Sequence, residues 1–367
     1  MHDLIVIGGG IQGAAVAQVA SAAGLKVLVL EQFAAAGLAT SSKSSKLIHG
    51  GLRYLESGQF KLVRECLEER RHLLATYPDL VHLVPFHIPV YTHTSRRPWK
   101  IRLGLALYTL FSRKLFHSIK PEQWAQLDGL KTDNLQNVFQ YYDAQTDDKK
   151  LTQRVMQDAM DLGAQLLTDA QYVSAACTTT HCDVLYQHQG VEHKTTGKLI
   201  INCAGPWVNS VLQKIHPPPT QLDIDLVLGA HIVVPGKLAR GMYYLEAPQD
   251  QRAVFVMPWK DQTLIGTTES PALAPHNPTP PETDIDYLLA VHNHYFNRTL
   301  QRRDVLDAFA GLRVLPADNS KASSRPRDTI IQYDHSAHPK VFSLYGGKLT
   351  AHRATAQQLL RIITPYL

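Results

Sequence analysis

The chain is poor in cysteine, and the four it has are unpatterned: Cys66, Cys177, Cys182 and Cys203 form no C-x-x-C pair and no metal-ligand spacing. No motif for a metal centre is present, and free buried thiols in a reducing compartment are the expectation. Charge of one sign is also scarce. A net +5 suits an anionic small molecule or an anionic membrane surface, and is too small and too scattered for nucleic acid. Long hydrophobic runs are missing as well. The apolar N-terminal stretch from Ile5 to Leu30 is interrupted by Gln12, Gln18 and Lys26, which excludes a membrane span there. Only Met1 and His2 precede Asp3 and the first apolar run, so no signal peptide is expected and the cytoplasm, with a peripheral place on the cytoplasmic face of the membrane as an option, is the expected compartment. Neither internal repeats nor low-complexity tails occur. No Ser-His-Asp order or activated cysteine suggests covalent catalysis. What remains is globular material with 44% hydrophobic and 19% charged residues, enough for two domains or one large domain with an inserted layer.

The organising stretch comes first. Leu4 to Ile7 is a short apolar run, as in a parallel strand buried on both faces. Gly8, Gly10 and Gly13 follow in G-x-G-x-x-G spacing, and an alanine-rich segment after them predicts a slim helix. Val27 to Leu30 predicts the next strand, and Glu31 ends it. A carboxylate about 20 residues after the glycines is placed to bind ribose hydroxyls, while the helix N-terminus faces phosphates. A lone glycine motif would be weak evidence; strand, turn, helix, strand and acid together predict a dinucleotide site. The motif does not choose between FAD and NAD.

Later segments narrow that choice. Leu199 to Val208 runs from an apolar strand into Ala-Gly-Pro-Trp, a second small-residue turn that closes the dinucleotide site in two-domain flavoproteins and that a nicotinamide-only domain does not need. Val341 to Arg353 predicts strand, glycine turn and a helix starting near Lys348, whose N-terminus could stabilise charge on a reduced flavin ring. Between these lie alternating segments such as Val254–Trp259 and Thr263–Thr268, read as antiparallel strands. The segment from Arg96 to Phe116 has basic flanks around an apolar core too short to span a bilayer. It is either an interfacial helix or a buried helix with snorkelling ends. The fold class expected is α/β: a Rossmann-like FAD-binding domain (1–80, 140–215 and 335–367) with a second, antiparallel-sheet substrate domain (81–139 and 216–334).

Thr40-Ser-Ser-Lys-Ser-Ser-Lys-Leu-Ile-His-Gly-Gly-Leu-Arg-Tyr-Leu-Glu56 resembles the signature of FAD-dependent glycerol-3-phosphate dehydrogenases, within the amino-acid-oxidase-like flavoproteins. The resemblance runs from Asp3 to about Arg353. It includes Gly-x-His231-Ile-Val-Val-Pro, Gly-x-Arg313-x-Leu, Arg327-Asp328 and Gly-Gly-Lys348-Leu-Thr350-x-x-Arg353. It implies oxidation of sn-glycerol 3-phosphate to dihydroxyacetone phosphate, with hydride passing from C2 to flavin N5 and electrons on to quinone or another acceptor. It also implies attachment to the inner-membrane surface and contacts for a homodimer. The family usually continues into a helical C-terminal domain, on which dimer and acceptor contacts bear, whereas this sequence stops at Leu367.

The resemblance implies a substrate site of Arg53, Tyr54, Arg313, Arg327, Lys348 and Thr350, with Arg325 an alternative to Arg327 for the phosphate. His231 is the expected base, because an ordinary imidazole titrates near neutral pH; His49 and Arg313 are the rivals. The cofactor-binding set starts with Gly8, Gly10, Ile11, Gln12 and Gly13, then Glu31 and Gln32. It continues with Thr40, Ser41, Ser42, Ser45, Lys46, Leu47 and His49. Ala204, Gly205 and Trp207 follow, and Gly346, Gly347, Lys348, Leu349 and Thr350 close it. Glu269 stands where the family usually has Asp, and Ala351-His352 replaces a more usual polar-aromatic pair, so a related phosphorylated polyol is an alternative substrate. Rival functions are an FAD-dependent oxidase or dehydrogenase of a 2-hydroxy acid or amino acid, and a non-catalytic assembly factor.

Overall fold

Two apolar cores meet at the first strand. In the computed structural model, which describes residues 1–52, 55, 58–318 and 329–367, strand β1 (His2–Ile7) sends alternate residues to opposite faces. Leu4 and Val6 join one core with helix α1 (Ile11–Ala22) and the helices Asp148–Asp161 and His352–Ile363. Ile5 and Ile7 join a second core beneath the strands Ala170–Cys177 and Cys182–His188. β1 lies parallel to β2 (Val27–Leu30) on one side and to the strand Val191–Asn202 on the other. Val191–Asn202 in turn pairs in parallel with Val341–Tyr345. This is the expected buried parallel sheet, and the alanine-rich sequence of α1 explains how one helix packs against two others and the sheet at once.

The second sheet is mostly antiparallel. Ile224–Pro235 pairs with Asp307–Pro316 and with Gln262–Gly266, which pairs with Ala253–Trp259. Val81–Tyr91 pairs antiparallel with Leu135–Thr146. The helices Phe60–Thr76 and Pro98–Ser112 cover one face, and Glu282–Tyr295 covers the other. The strand Leu135–Thr146 crosses residue 140 and belongs wholly to this sheet, as does Leu47–Ile48, while Ile330–Tyr333 belongs to the first. The sheets therefore interleave more finely along the chain than the expected domain limits, because hydrogen bonding follows spatial neighbours.

Two local expectations change. Cys177 and Cys182 are disulfide-bonded, not free, because their hairpin register sets them opposite each other; Cys66 and Cys203 are free and buried. The C-terminal helix starts at His352, not near Lys348: Gly346 (φ 75°) and Gly347 (φ 120°) are left-handed, so 346–351 stays an irregular turn. Arg53, Tyr54, Arg325, Arg327 and the polar loop 320–328 lie outside the described residues.

The crossing of β1, α1 and Val191–Asn202 leaves no space for side chains. Gly8 adopts φ 102°, and a Cβ there would stand 2.6 Å from the Cys203 carbonyl oxygen. A Cβ on Gly13 would overlap the Gly8 carbonyl oxygen. By contrast, Gly104, inside the helix Pro98–Ser112, faces open space. Gly13→Ala should therefore destabilise the fold by about 1–3 kcal/mol or more, and Gly104→Ala should stabilise it by about 0.5–1 kcal/mol. Denaturant unfolding of the two variants checks both signs.

Candidate active site

A cavity of about 610 Å³ runs between the two sheets, from Glu31 at one end to His231 and Arg313 at the other. Both small-residue turns and the closing glycine turn line it. At the first end, Gly10 caps α1 without a side chain and no acid lies in the first turn, so the positive helix end is left for an anion. Ile11 N–H donates to Ser41 Oγ (2.9 Å), which brings the hydroxyl-rich segment against that helix end. Glu31 is buried, and its carboxylate accepts from the N–H groups of Gly9 (2.6 Å) and Phe33 (2.9 Å). Burial pushes its carboxyl above the ordinary value, while those N–H groups pull the other way.

These features fit FAD. Among the described residues, three buried polar atoms of the cavity lining have no hydrogen-bond partner, Gln12 Oε1, Trp207 Nε1 and His231 Nδ1, and a bound dinucleotide offers partners to such groups. The bare backbone at Gly8 and Gly10 allows the close approach that a pyrophosphate needs. Glu31 would hold the ribose hydroxyls, and the turn 346–350 would border the ring end.

The middle wall is built by a buried ion pair. Lys46 Nζ lies 2.7 Å from Asp148 Oδ1. The other oxygen of Asp148 accepts from Ser44 N–H (2.9 Å) and Ser44 Oγ (2.7 Å). The Lys46 ammonium also sits 4.9 Å from the Trp259 ring centroid and 5.1 Å from that of Phe309. Lys46 is thus a wall support that does not line the cavity, because Asp148 draws it into the protein. Ser42 does not line it either, since its hydroxyl donates to the carbonyls of Leu38 and Ala39 in its own turn. Gly13 lies behind the turn, where it lets α1 approach. The other expected cofactor residues do line the cavity.

At the far end His231 is 2% exposed and stacks on Phe309 (5.1 Å, 12°), with Nε2 2.8 Å from Ser45 Oγ. Burial, then the Arg313 and Lys46 charges, push its imidazole down to about 3. The Gly229 backbone pulls the other way, least of the four, and Nδ1 makes no hydrogen bond among the described residues. His231 is therefore neutral at physiological pH. Arg313 Nη1 donates to Glu269 Oε1 (2.8 Å), and Arg252 approaches the other Glu269 oxygen at 3.7 Å. His49 lines the cavity half-buried, and its backbone N–H donates to Thr350 Oγ1 (3.3 Å). Lys348, half-buried, lines the same end. Arg353 instead pairs with Glu69 (2.7 Å).

Sequence reasoning missed Lys43, Phe33 and, apart from Arg313, the edge strand 311–316 as walls, and Asp148 as the support behind them. Asp148 carried one signal, an acid in the first turn of a helix, but its partner Lys46 is distant in sequence. His352 was noted only as a departure; buried, it donates Nδ1–H to the Leu349 carbonyl (2.6 Å) and shapes the closing turn.

The model of FAD dependent oxidoreductases matches residues 3–353. The chain belongs to this family. It is 35% identical over 370 residues to the aerobic glycerol-3-phosphate dehydrogenase of Escherichia coli K12, covering 99% of this chain and 74% of that protein. It is 36% identical over 369 residues to the D-erythritol 1-phosphate dehydrogenase of Brucella abortus, covering 97% and 72%. Among solved structures, the glycerol-3-phosphate dehydrogenase of Bacillus halodurans complexed with FAD superposes with a TM-score of 0.80 at 25% identity. That match covers all of this chain and 64% of the other. This flavoenzyme uses FAD, with the amino-acid-oxidase type of fold.

Buried His231 and His352 link stability to pH. Burial is the first cause in each, and the folded values fall to about 3 and about 4, below the ordinary 6.5. Their contribution is whole above pH ~6.5 and is lost as pH falls toward the folded values, because only the unfolded chain takes up the protons. Each contributes at most about 1.4 kcal/mol per pH unit in that window. Urea unfolding at several pH values between neutrality and mild acid should show stability falling with pH, with a shallower slope in His231→Asn. Equal slopes would remove His231 from this account.

Proposed function

We propose that the enzyme oxidises sn-glycerol 3-phosphate to dihydroxyacetone phosphate and passes the electrons to quinone. The observation that carries this is the pairing of a cavity lined by all three small-residue turns with a cationic far end, whose lining includes Arg313, Lys348 and two histidines. Bound FAD supplies the hydride acceptor. The protein's share is to hold the dianionic phosphate with guanidinium and ammonium groups and to take the C2 hydroxyl proton.

We assign the proton-accepting role to His49 in preference to His231. His231 holds a proton poorly beside two cations, and its Nε2 is engaged with Ser45. It serves better as a neutral brace for the serine loop. Arg313 acts as a cation held by Glu269. A phosphorylated tetritol is the second reading, supported by the similarity to the erythritol-phosphate enzyme and by Glu269, which touches Arg313.

The helix Pro98–Ser112 buries Ile101, Leu105 and Tyr108 but exposes Trp99 (64%), Leu103 (57%) and Leu110 (73%). Arg97, Lys100, Arg102, Arg113 and Lys114 are exposed within or beside the same helix, while Arg96 is held by Glu246. An apolar face with a basic rim suits anionic headgroups. No helix among the described residues is long and apolar enough to cross a membrane.

Anaerobic titration of the FAD-loaded protein tests the substrate. Glycerol 3-phosphate should bleach the flavin, whereas 2-hydroxyglutarate and D-amino acids should not; bleaching only by a non-phosphorylated acid would contradict the reading. His49→Asn should slow bleaching by about 10²–10⁴-fold with FAD retained. Arg313→Met should weaken phosphate-substrate binding about 10- to 100-fold. Sedimentation with vesicles containing anionic lipid should carry down the wild type but not Leu103→Glu/Leu110→Glu; equal binding would move the contact elsewhere.

A further inference from the structure

Where the cavity wall turns from His49 to Gly50, two consecutive backbone N–H groups are held by side chains from distant parts of the chain. His49 N–H donates to Thr350 Oγ1, and Gly50 N–H donates to the phenol oxygen of Tyr108 (3.0 Å). The Tyr108 hydroxyl donates in turn to Asp143 Oδ2 (2.6 Å). Arg70 Nη1 donates to Asp143 Oδ1 (2.5 Å) and to the Tyr142 carbonyl (2.9 Å). Arg70, Tyr108 and Asp143 are each 1–2% exposed. Burial, with Asp143 beside it, keeps the phenol protonated, so it donates to the carboxylate and accepts from Gly50 at the same time.

The packing permits little else. A Cβ on Gly50 would stand 2.6 Å from the Tyr108 oxygen and 2.7 Å from Leu67. Tyr141 closes the other side of Tyr108 edge-on, with centroids 5.7 Å apart. A buried ion pair of this kind often contributes no more stability than well-packed apolar residues would, so its worth lies in the geometry it imposes. Toward the cavity, that geometry reaches the backbone beside His49.

We propose that Arg70, Asp143 and Tyr108 are positioning residues, which fix the His49–Gly50 backbone and thereby aim the His49 imidazole into the cavity. The proposal rests on His49 as the proton acceptor. None of the three need touch substrate. Their effect is on the fraction of time the imidazole spends in a reactive orientation, which is read in the rate of the chemical step and not in substrate affinity.

The test uses FAD-loaded Tyr108→Phe, which keeps the ring and removes the hydrogen-bonding oxygen. Amide hydrogen exchange should speed up across residues 47–52 while β1 stays protected. The saturating rate of anaerobic flavin reduction by sn-glycerol 3-phosphate should fall about tenfold, with half-saturation changed by less than about twofold. Asp143→Asn, which keeps the shape but drops the charge opposite Arg70, is a second variant expected to change both readouts in the same direction. Unchanged exchange at 47–52, or an unchanged saturating rate, would overturn the proposal. If glycerol 3-phosphate fails to reduce even the wild-type flavin, the functional reading falls, and the exchange measurement still decides whether Tyr108 fixes this backbone.

Discussion

Backbone pressed against backbone at Gly8 is the constraint on which the rest of the molecule depends. The turn after β1 touches the Cys203 carbonyl on one side and is overlain by α1 at Gly13 on the other. Three chain segments thereby converge with no side chain between them. That convergence aims the α1 N-terminus at the cavity and brings Ala204, Gly205 and Trp207 to its rim. It also sets the register of the parallel sheet, in which Ile5 lies beside both Leu28 and Ile200. A slip of one residue would exchange the two cores served by alternate residues of β1.

The cavity that results is electrically uneven, and its chemistry follows from that. One end has a buried carboxylate and the positive end of a helix; the other has Arg313, Lys348 and Lys43. Between them, Lys46 is neutralised by Asp148, so the serine-rich segment is held in shape without adding net charge to the wall. His231 is kept neutral by burial beside cations and braces Ser45. His49 is less enclosed, and its neighbours grip its backbone while its ring borders the cavity. The helix carrying Tyr108 inward also carries Trp99, Leu103 and Leu110 outward, so one element serves both the site and the surface.

The parts legible in the sequence are those in which chemistry is local. Strand, glycine turn, helix and terminal acid occupy Asp3 to Glu31 without interruption, and each residue there has a reason that its neighbours supply. The second and third turns were legible for the same reason. Less legible were properties that depend on distant partners. The pKa of His231 depends on its burial and then on Arg313 and Lys46, none of which its sequence neighbours disclose, so an ordinary imidazole value was the only guide to its role. Lys46 was read as a cofactor ligand because Asp148, about a hundred residues away, could not be foreseen as its partner. The Cys177–Cys182 bond needed the hairpin register, which spacing alone does not fix. The sheet limits blurred at residue 140 because Leu135–Thr146 is one continuous strand, whatever the composition on either side.

The central claim is that this cavity brings the carbinol C2 of a phosphorylated polyol to the flavin while His49 takes the hydroxyl proton. Single-turnover flavin reduction with sn-glycerol 3-phosphate deuterated at C2, compared with the unlabelled compound, tests it most directly. The account predicts a primary isotope effect on the reduction rate, because the C2–H bond breaks in that step. Equal rates for the two compounds, or no reduction by either, would contradict it.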